Sequence, residues 1–516
     1  MTRFSRRQML ALPVALPAPG LRAASSRRLT ALSLNEDPNH FFFSRADRRI
    51  DRPLLEAWVD QYADTQVREL ILCVNAMRTA FASKQWTPFW DGYDPSGPDD
   101  QPLFAALPEA SRKTYRRWIH AAWRMNQDGL DHFAVWMARA RRKGMSPWIS
   151  MRMNDLHDVD NERHPLHSEF WKAHPELRRV PYRGEMRDKA LDFGRAEVRD
   201  YSFRLIEEMA QRWDFDGLEL DWMRHGFHFA PGCEAEGREH LNAFMLRVRR
   251  RLNRRIRLGV RVPSRPETAL RLGMDAVEWA RSGAVDFVTP TNFWRTVDTA
   301  MPVALWRRLL PENCTLAAGL ELGLNPHPAS RGVGGRPFQT NSLETVRGAA
   351  AAYLEQGADR IYLFNYMDRD TAIEDLQNYP ALLGECGRLE TLRGKPRRHV
   401  VTYQDTWAPG EARAFALPVE ARPGNWTAFR LLTGPVERAP RIRLGLSEKP
   451  EGWQVRVNGV LAHYGGEETV RPGPDVPCYC FDLPDGGMMR AGENVIDILP
   501  ATNAVIHWVE VGWQGR

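Results

Sequence analysis

The sequence predicts an α/β protein: a (β/α)8 TIM-like barrel followed by a C-terminal β-sandwich domain. Three observations carry this. Eight apolar, strand-like runs alternate with segments of helical periodicity. A polar side chain ends almost every one of those runs. Beyond residue 394 the pattern changes to short alternating segments punctuated by Gly and Pro.

The eight runs are Leu29–Asp37, Glu69–Met77, Ser146–Asn154, Asp216–Met223, Arg257–Pro263, Asp286–Phe293, Thr315–Leu322 and Arg360–Met367. Between them, Arg195–Trp213 and Leu343–Gln356 place apolar residues at a 3.6 period, as amphipathic helices do. A doubly wound sheet is the alternative, but it needs a Gly-rich first turn that the first strand lacks. Gly332-x-Gly334-Gly335 follows the seventh strand and is weak as a phosphate cradle. The intervals after strands two and three are 77 and 70 residues, against 29–45 elsewhere. In a barrel this extra chain lies over one side of the C-terminal mouth, where chemistry sits. Segments such as His399–Gln404, Ala414–Val419 and Trp453–Leu461 make eight expected strands in the last part of the chain, enough for a sandwich.

The expected domains are therefore a leader at 1–26, a barrel at 27–394 and a sandwich at 395–516. Ser5-Arg6-Arg7-Gln8-Met9-Leu10, a Pro-broken apolar run and small residues at 23–26 resemble a twin-arginine export signal. The apolar run is too short to span a bilayer. The expectation is export of a folded protein to the periplasm or the outside.

Composition excludes a disordered or disulfide-framed chain: 43% of the 516 residues are hydrophobic and 26% charged. The net charge of +6 comes largely from four leader arginines with no acid among them. No basic stripe follows, so nucleic acid is not an expected partner. Six scattered cysteines predict no bridge.

Strand parity sorts the barrel positions. Ser33, Asn35 and Asp37 share the lumen face of the first strand, Ser150, Arg152 and Asn154 that of the third, and Glu219 and Asp221 that of the fourth. Strand ends offer Asp37, Asn75, Arg152, Asp221, Arg261, Asn292, Glu321 and Asn365. Burying so many polar groups is costly unless they pair or bind something. His157, Asp158, Asp160 and His164 include metal-ligand types without zinc or calcium spacing, and no nucleophile elbow appears. Carboxylates and aromatics remain, pointing to sugar chemistry. Trp86, Trp90, Trp222 and Trp294, near strand tops, are the candidate sugar platforms. Glu219 and Asp221 are a tempting acid–base pair, but i and i+2 on one strand lie along one wall, so they read as positioning groups.

Leu34-Asn35-Glu36-Asp37, Met151-Arg152-Met153-Asn154-Asp155-Leu156-His157 and Asp216-Gly217-Leu218-Glu219-Leu220-Asp221-Trp222-Met223-Arg224-His225 together resemble glycoside hydrolase family 156, inverting exo-sialidases. The resemblance implies His157 as Brønsted acid and Asp37 as base, with Arg152 meeting the substrate carboxylate. It adds Arg224 and Asn365 as substrate-binding residues, and the lumen-facing strand positions Asn154, Asn75 and Asp221 are expected to bind substrate beside them. It implies a sialylated glycan as partner, no cofactor or metal, and no membrane insertion after export, and it leaves a homo-oligomer open. Strands one and three are separated by one strand, about 9 Å at their ends, within the roughly 6.5–9.5 Å that an inverting pair needs. Two other readings stay open: a barrel glycosidase for another, acidic sugar, and a non-catalytic glycan-binding barrel.

Overall fold

The computed structural model describes residues 30–328, 339–369, 379–437, 440–484 and 489–514. The expected leader and the Gly332–Gly335 segment lie outside the described residues.

Eight parallel strands close a barrel. They are β1 (Ala31–Glu36), β2 (Val67–Cys73), β3 (Ser146–Arg152), β4 (Gly217–Asp221), β5 (Arg257–Pro263), β6 (Phe287–Thr291), β7 (Thr315–Glu321) and, after a short ribbon of β8 (Gly323–Leu324) with β9 (Gln339–Thr340), β10 (Arg360–Phe364). Each strand pairs with its neighbour in chain order, and β10 closes on β1. Every expected barrel strand is present, and seven of them end one to four residues earlier than the apolar run suggests. The cause is local. Asp37 leaves the strand to cap the next helix, α1 (Pro38–Ser44), and Asp221 turns its carboxylate back onto the backbone that follows it.

Alternation along the strands divides outward apolar residues from lumen residues, as the parity reading expects. Ile71, Trp148, Phe287, Ala317, Tyr362 and Phe364 form an inner apolar cluster. Gly217 permits this. A Cβ there would lie 2.1 Å from the Trp148 indole, so only glycine lets that ring cross the lumen. Charged side chains in the lumen take hydrogen-bond partners there. Glu69 takes Arg360 at 2.9 Å and the Ser33 hydroxyl at 2.8 Å. Glu219 takes Ser150 and Tyr362, both at 2.8 Å. Arg261 bridges Asp221 at 2.7 Å and Glu321 at 3.2 Å.

The chain after residue 396 forms a nine-stranded antiparallel sheet folded into two halves around one core. A single strand, Val460–Glu467, pairs with one half through Val460–Ala462 and with the other through His463–Glu467. This strand switch is what turns one sheet into a two-layer packing. The expected strand at Ala414–Val419 is instead Val419–Ala421. Pro418 has no N–H to give, so the ladder begins after it. The segment that follows the sheet's first strand, Arg397–Val400, is latched to the loop after β6. The Asn292 amide donates to the Tyr403 carbonyl at 2.9 Å, and Asp405 accepts the N–H groups of Phe293, Trp294 and Arg295 at 2.8–3.0 Å.

Among the described residues, no helix is long and apolar enough to cross a membrane.

Candidate active site

A line of five charged or titratable side chains crosses the C-terminal mouth of the barrel. Its first member, Asp37, is half-spent as the N-cap of α1, accepting the Asn39 N–H at 2.9 Å. Its other oxygen meets the Arg152 guanidinium. The carboxylate is 14% exposed. Burial pushes its pKa up, but Arg152, His40 and the Asn39 N–H together win and hold it at about 2.

Arg152 ends β3, and Asn75 fixes that end. The Asn75 amide donates to the Arg152 carbonyl at 3.0 Å and accepts the Arg152 N–H at 3.1 Å. The Arg152 guanidinium also reaches Asp155 at 3.2 Å, so it stands between two carboxylates. Asp155 in turn holds His157. It accepts the His157 N–H at 3.0 Å and lies 2.7 Å from the ring Nδ1. Burial opposes ionisation of Asp155, yet His157 and then Arg152 keep its pKa well below the usual carboxylate range.

His157 is the open member, with its side chain 43% exposed. Its Nε2 lies 2.6 Å from Arg224 Nη2. The hydrogen-bond network assigns Nδ1–H to Asp155, leaving Nε2 to accept from Arg224. Arg224 is positioned by Asp221, which accepts the Met223 and Arg224 N–H groups at 3.0 and 2.9 Å.

Arg224 is only 7% exposed, and no carboxylate lies within ion-pair distance of it among the described residues. Its Nε has no partner. The Phe293 and Phe364 rings stand 5.6 and 5.8 Å from its guanidinium carbon. Burial, and then Arg152, lower its pKa below the ordinary arginine value. A buried cation without a counter-ion is costly, and an anion arriving beside it removes that cost.

Two further residues complete the mouth. His225 packs edge-on against His157 at 5.4 Å and tilted against Phe293 at 4.9 Å, with Nε2 unpartnered among the described residues. Asn365 directly follows the last barrel strand and is half-buried. Both have left-handed backbones, φ 61° and 64°, as does Asp158 at 56°. Such strain in non-glycine residues gathers at functional sites.

Of the residues expected from sequence, Asp37, His157, Arg152 and Arg224 come together, with Asn365 on the rim. Asn75 and Asp221 act one step back, through backbone groups. Asn154 turns away, and its amide exchanges two hydrogen bonds with Leu191 at 2.9 and 3.0 Å, tying down the long loop after β3. The aromatic expectation is corrected. Trp222 is fully buried among Phe193, His228 and Phe244. Trp86 stacks on Tyr201 at 4.4 Å, Trp90 packs on Phe89, and only Trp294 stays half-exposed at the mouth. Outward-facing parity at Trp222 is the reason for its burial. Sequence reasoning missed the roles of Asp155 and His225. Asp155 was detectable, because an Asp two residues ahead of a His readily accepts its backbone N–H in an Asx turn.

Asp155, His157 and His225 place ligand-type atoms within 4.8 Å of one another. Arg152 already contacts the first and Arg224 the second. A metal cation would therefore meet two like charges, and the cluster suits an anion better.

No family model matches this chain, and no curated protein does. Among solved structures it is similar to the α-galactosidase of Thermus thermophilus in complex with p-nitrophenyl α-D-galactopyranoside. That likeness is at 14% identity and TM-score 0.33, over 69% of this chain and 62% of that one. It is also similar to α-L-fucosidase isoenzyme 1 of Paenibacillus thiaminolyticus, at 14% identity and TM-score 0.34, over 92% and 97% of the two chains. Isoenzyme 2 from the same organism gives 12% identity and TM-score 0.40, over 69% and 48%. This chain thus spans less than two thirds of the length of the first and third of these.

Proposed function

We propose that the protein is a glycoside hydrolase that removes a terminal α-linked sialic acid by a single, inverting displacement, with Asp37 as base and His157 as acid. The observation that supports it most is Arg224, a buried guanidinium without a counter-ion among the described residues, which touches the exposed imidazole of His157. A sugar carrying a carboxylate beside its anomeric carbon supplies the missing anion at the reacting centre.

The chemistry follows from the line of side chains. The substrate carboxylate draws Arg224 towards itself and away from His157 Nε2. That nitrogen can then carry a proton, while Asp155 on Nδ1 stabilises the imidazolium. Asp37 is ionised at neutral pH and accepts a proton from water as the water oxygen bonds to the anomeric carbon. The glycosidic C–O bond breaks in the same step, and the departing oxygen takes the proton from His157 Nε2. Arg152 neutralises one wall of the site, so the substrate carboxylate and Asp37 do not repel each other unscreened.

The test is release of free sugar from an aryl α-sialoside, run beside aryl galactoside, fucoside and uronide. Turnover of the sialoside alone is expected. Turnover of the uronide with an inert sialoside would move the reading to another acidic sugar, which Arg224 would hold equally well.

A further inference from the structure

The imidazole of His157 is held from three directions. Asp155 lies 2.7 Å from Nδ1, Arg224 Nη2 lies 2.6 Å from Nε2, and the His225 ring stands 5.4 Å away with the two planes 85° apart. The first two contacts each fix one atom. A hydrogen bond tolerates a wide range of angles, so Asp155 alone would let the far edge of the ring, with Nε2, swing across the mouth. A second ring packed against the first removes that freedom.

His225 occupies this place at a cost. Its backbone is left-handed at φ 61°, a conformation that penalises any residue carrying a Cβ. Its ring is buried, and its Nε2 has no hydrogen-bond partner among the described residues. A buried polar atom left unpaired is destabilising. The His225 carbonyl does accept the Phe227 N–H at 2.7 Å, but any residue could offer that oxygen. The contacts that need a ring are those with His157 and, at 4.9 Å, with Phe293. Phe293 in turn stands 5.6 Å from the Arg224 guanidinium carbon. Loops after β4 and β6 thus brace an imidazole that arises from the loop after β3.

The brace is uncharged. Burial drives the His225 pKa well below the ordinary histidine value; Asp155 opposes this, and Arg224, His157 and Arg152 reinforce it. A neutral ring can stand beside an imidazolium without repelling it.

We propose that His225 is a positioning residue for the acid: its ring walls His157, so that Nε2 stays aimed at the departing oxygen once Arg224 has turned to the substrate carboxylate. This rests on the proposed function, in which the substrate draws Arg224 off His157. Asp155 and His225 are then the contacts that remain.

The experiment measures kcat and KM for α2,3-sialyl-lactose and for an aryl α-sialoside in the intact protein, His225→Asn and His225→Phe. Thermal melting is the fold control. Asn removes the ring and suits a left-handed backbone, whereas Phe restores a ring without nitrogens. In His225→Asn, kcat for sialyl-lactose is expected to fall about 30-fold with little change in KM, the scale of a misplaced acid. The aryl sialoside should lose far less, and His225→Phe should recover most of the loss. Equal loss on both substrates, a loss carried by KM, or no loss overturns the proposal, as does a folded His225→Phe that recovers nothing. A second measurement needs no turnover: nitrogen NMR of the His157 ring in Arg224→Ala, where the Nε2 contact is gone, with and without His225→Asn. With His225 present, one tautomer protonated at Nδ1 is expected; without it, an average of two. The same state in both proteins overturns the proposal. If no sialoside is cleaved, the function fails separately, and this NMR comparison alone decides for or against the wall.

Discussion

The barrel holds two layers of buried charge, one above the other, and they differ in what they leave unspent. In the lumen two buried arginines have their acids: Arg360 has Glu69, and Arg261 has Asp221 and Glu321. In the mouth the line from Asp37 to Arg224 ends on a cation with no acid in ion-pair distance among the described residues, beside a half-exposed histidine. Burial and charge are common to both layers. An accessible imidazole set against a buried cation belongs to the mouth, and this separates a site from a scaffold.

Breaking the mouth should have the largest effect. His157→Ala is expected to lower kcat/KM about 10³-fold on sialosides with alkoxide leaving groups. It should cost far less on an aryl sialoside, whose phenol departs with little help. Asp37→Ala should cripple both substrates. Equal loss on both substrates in His157→Ala would move the acid to another residue.

Next in size is Arg224→Ala, which removes the unmatched cation. It should raise KM for a sialoside by about 100-fold, the scale of losing one partner of a buried charge pair. An unchanged KM would show that Arg224 does not meet the substrate.

The smallest effect is expected in the lumen and concerns stability. Glu219 is buried, and desolvation first, then Asp221, lift its pKa to about 7. A carboxyl raised in this way favours the folded state below its ordinary value of 4.5, and that contribution fades as pH rises towards 7. At full size it is on the order of 3 kcal/mol. Glu219→Gln should therefore flatten the fall in melting temperature between about pH 5 and pH 8. Glu321, raised to about 8 mainly by burial, keeps part of the slope. An unaltered slope in Glu219→Gln would mean that Glu219 ionises freely in the folded protein.

The barrel was legible because its strands are apolar runs with a fixed parity, a property of local sequence. Parity also put Asp37, Arg152, Glu219 and Asp221 in the lumen. It did not say which of these would be consumed. Asn154 is held by Leu191 and Arg152 by Asn75, partners 37 and 77 residues apart, and such pairings exist only once the barrel closes. Trp222 shows the converse: its own strand parity predicts burial, but its place near a strand top suggests a sugar platform. In the sheet domain Pro418 displaced a strand that the alternating pattern placed too early.

One measurement addresses the assignment of Asp37 and His157 most directly: time-resolved proton NMR of the sugar first released from an α-sialoside, read before mutarotation. A single displacement, with water activated by Asp37, delivers the β-anomer first. Appearance of the α-anomer first would imply a covalent intermediate, and Asp37 could not then be the base.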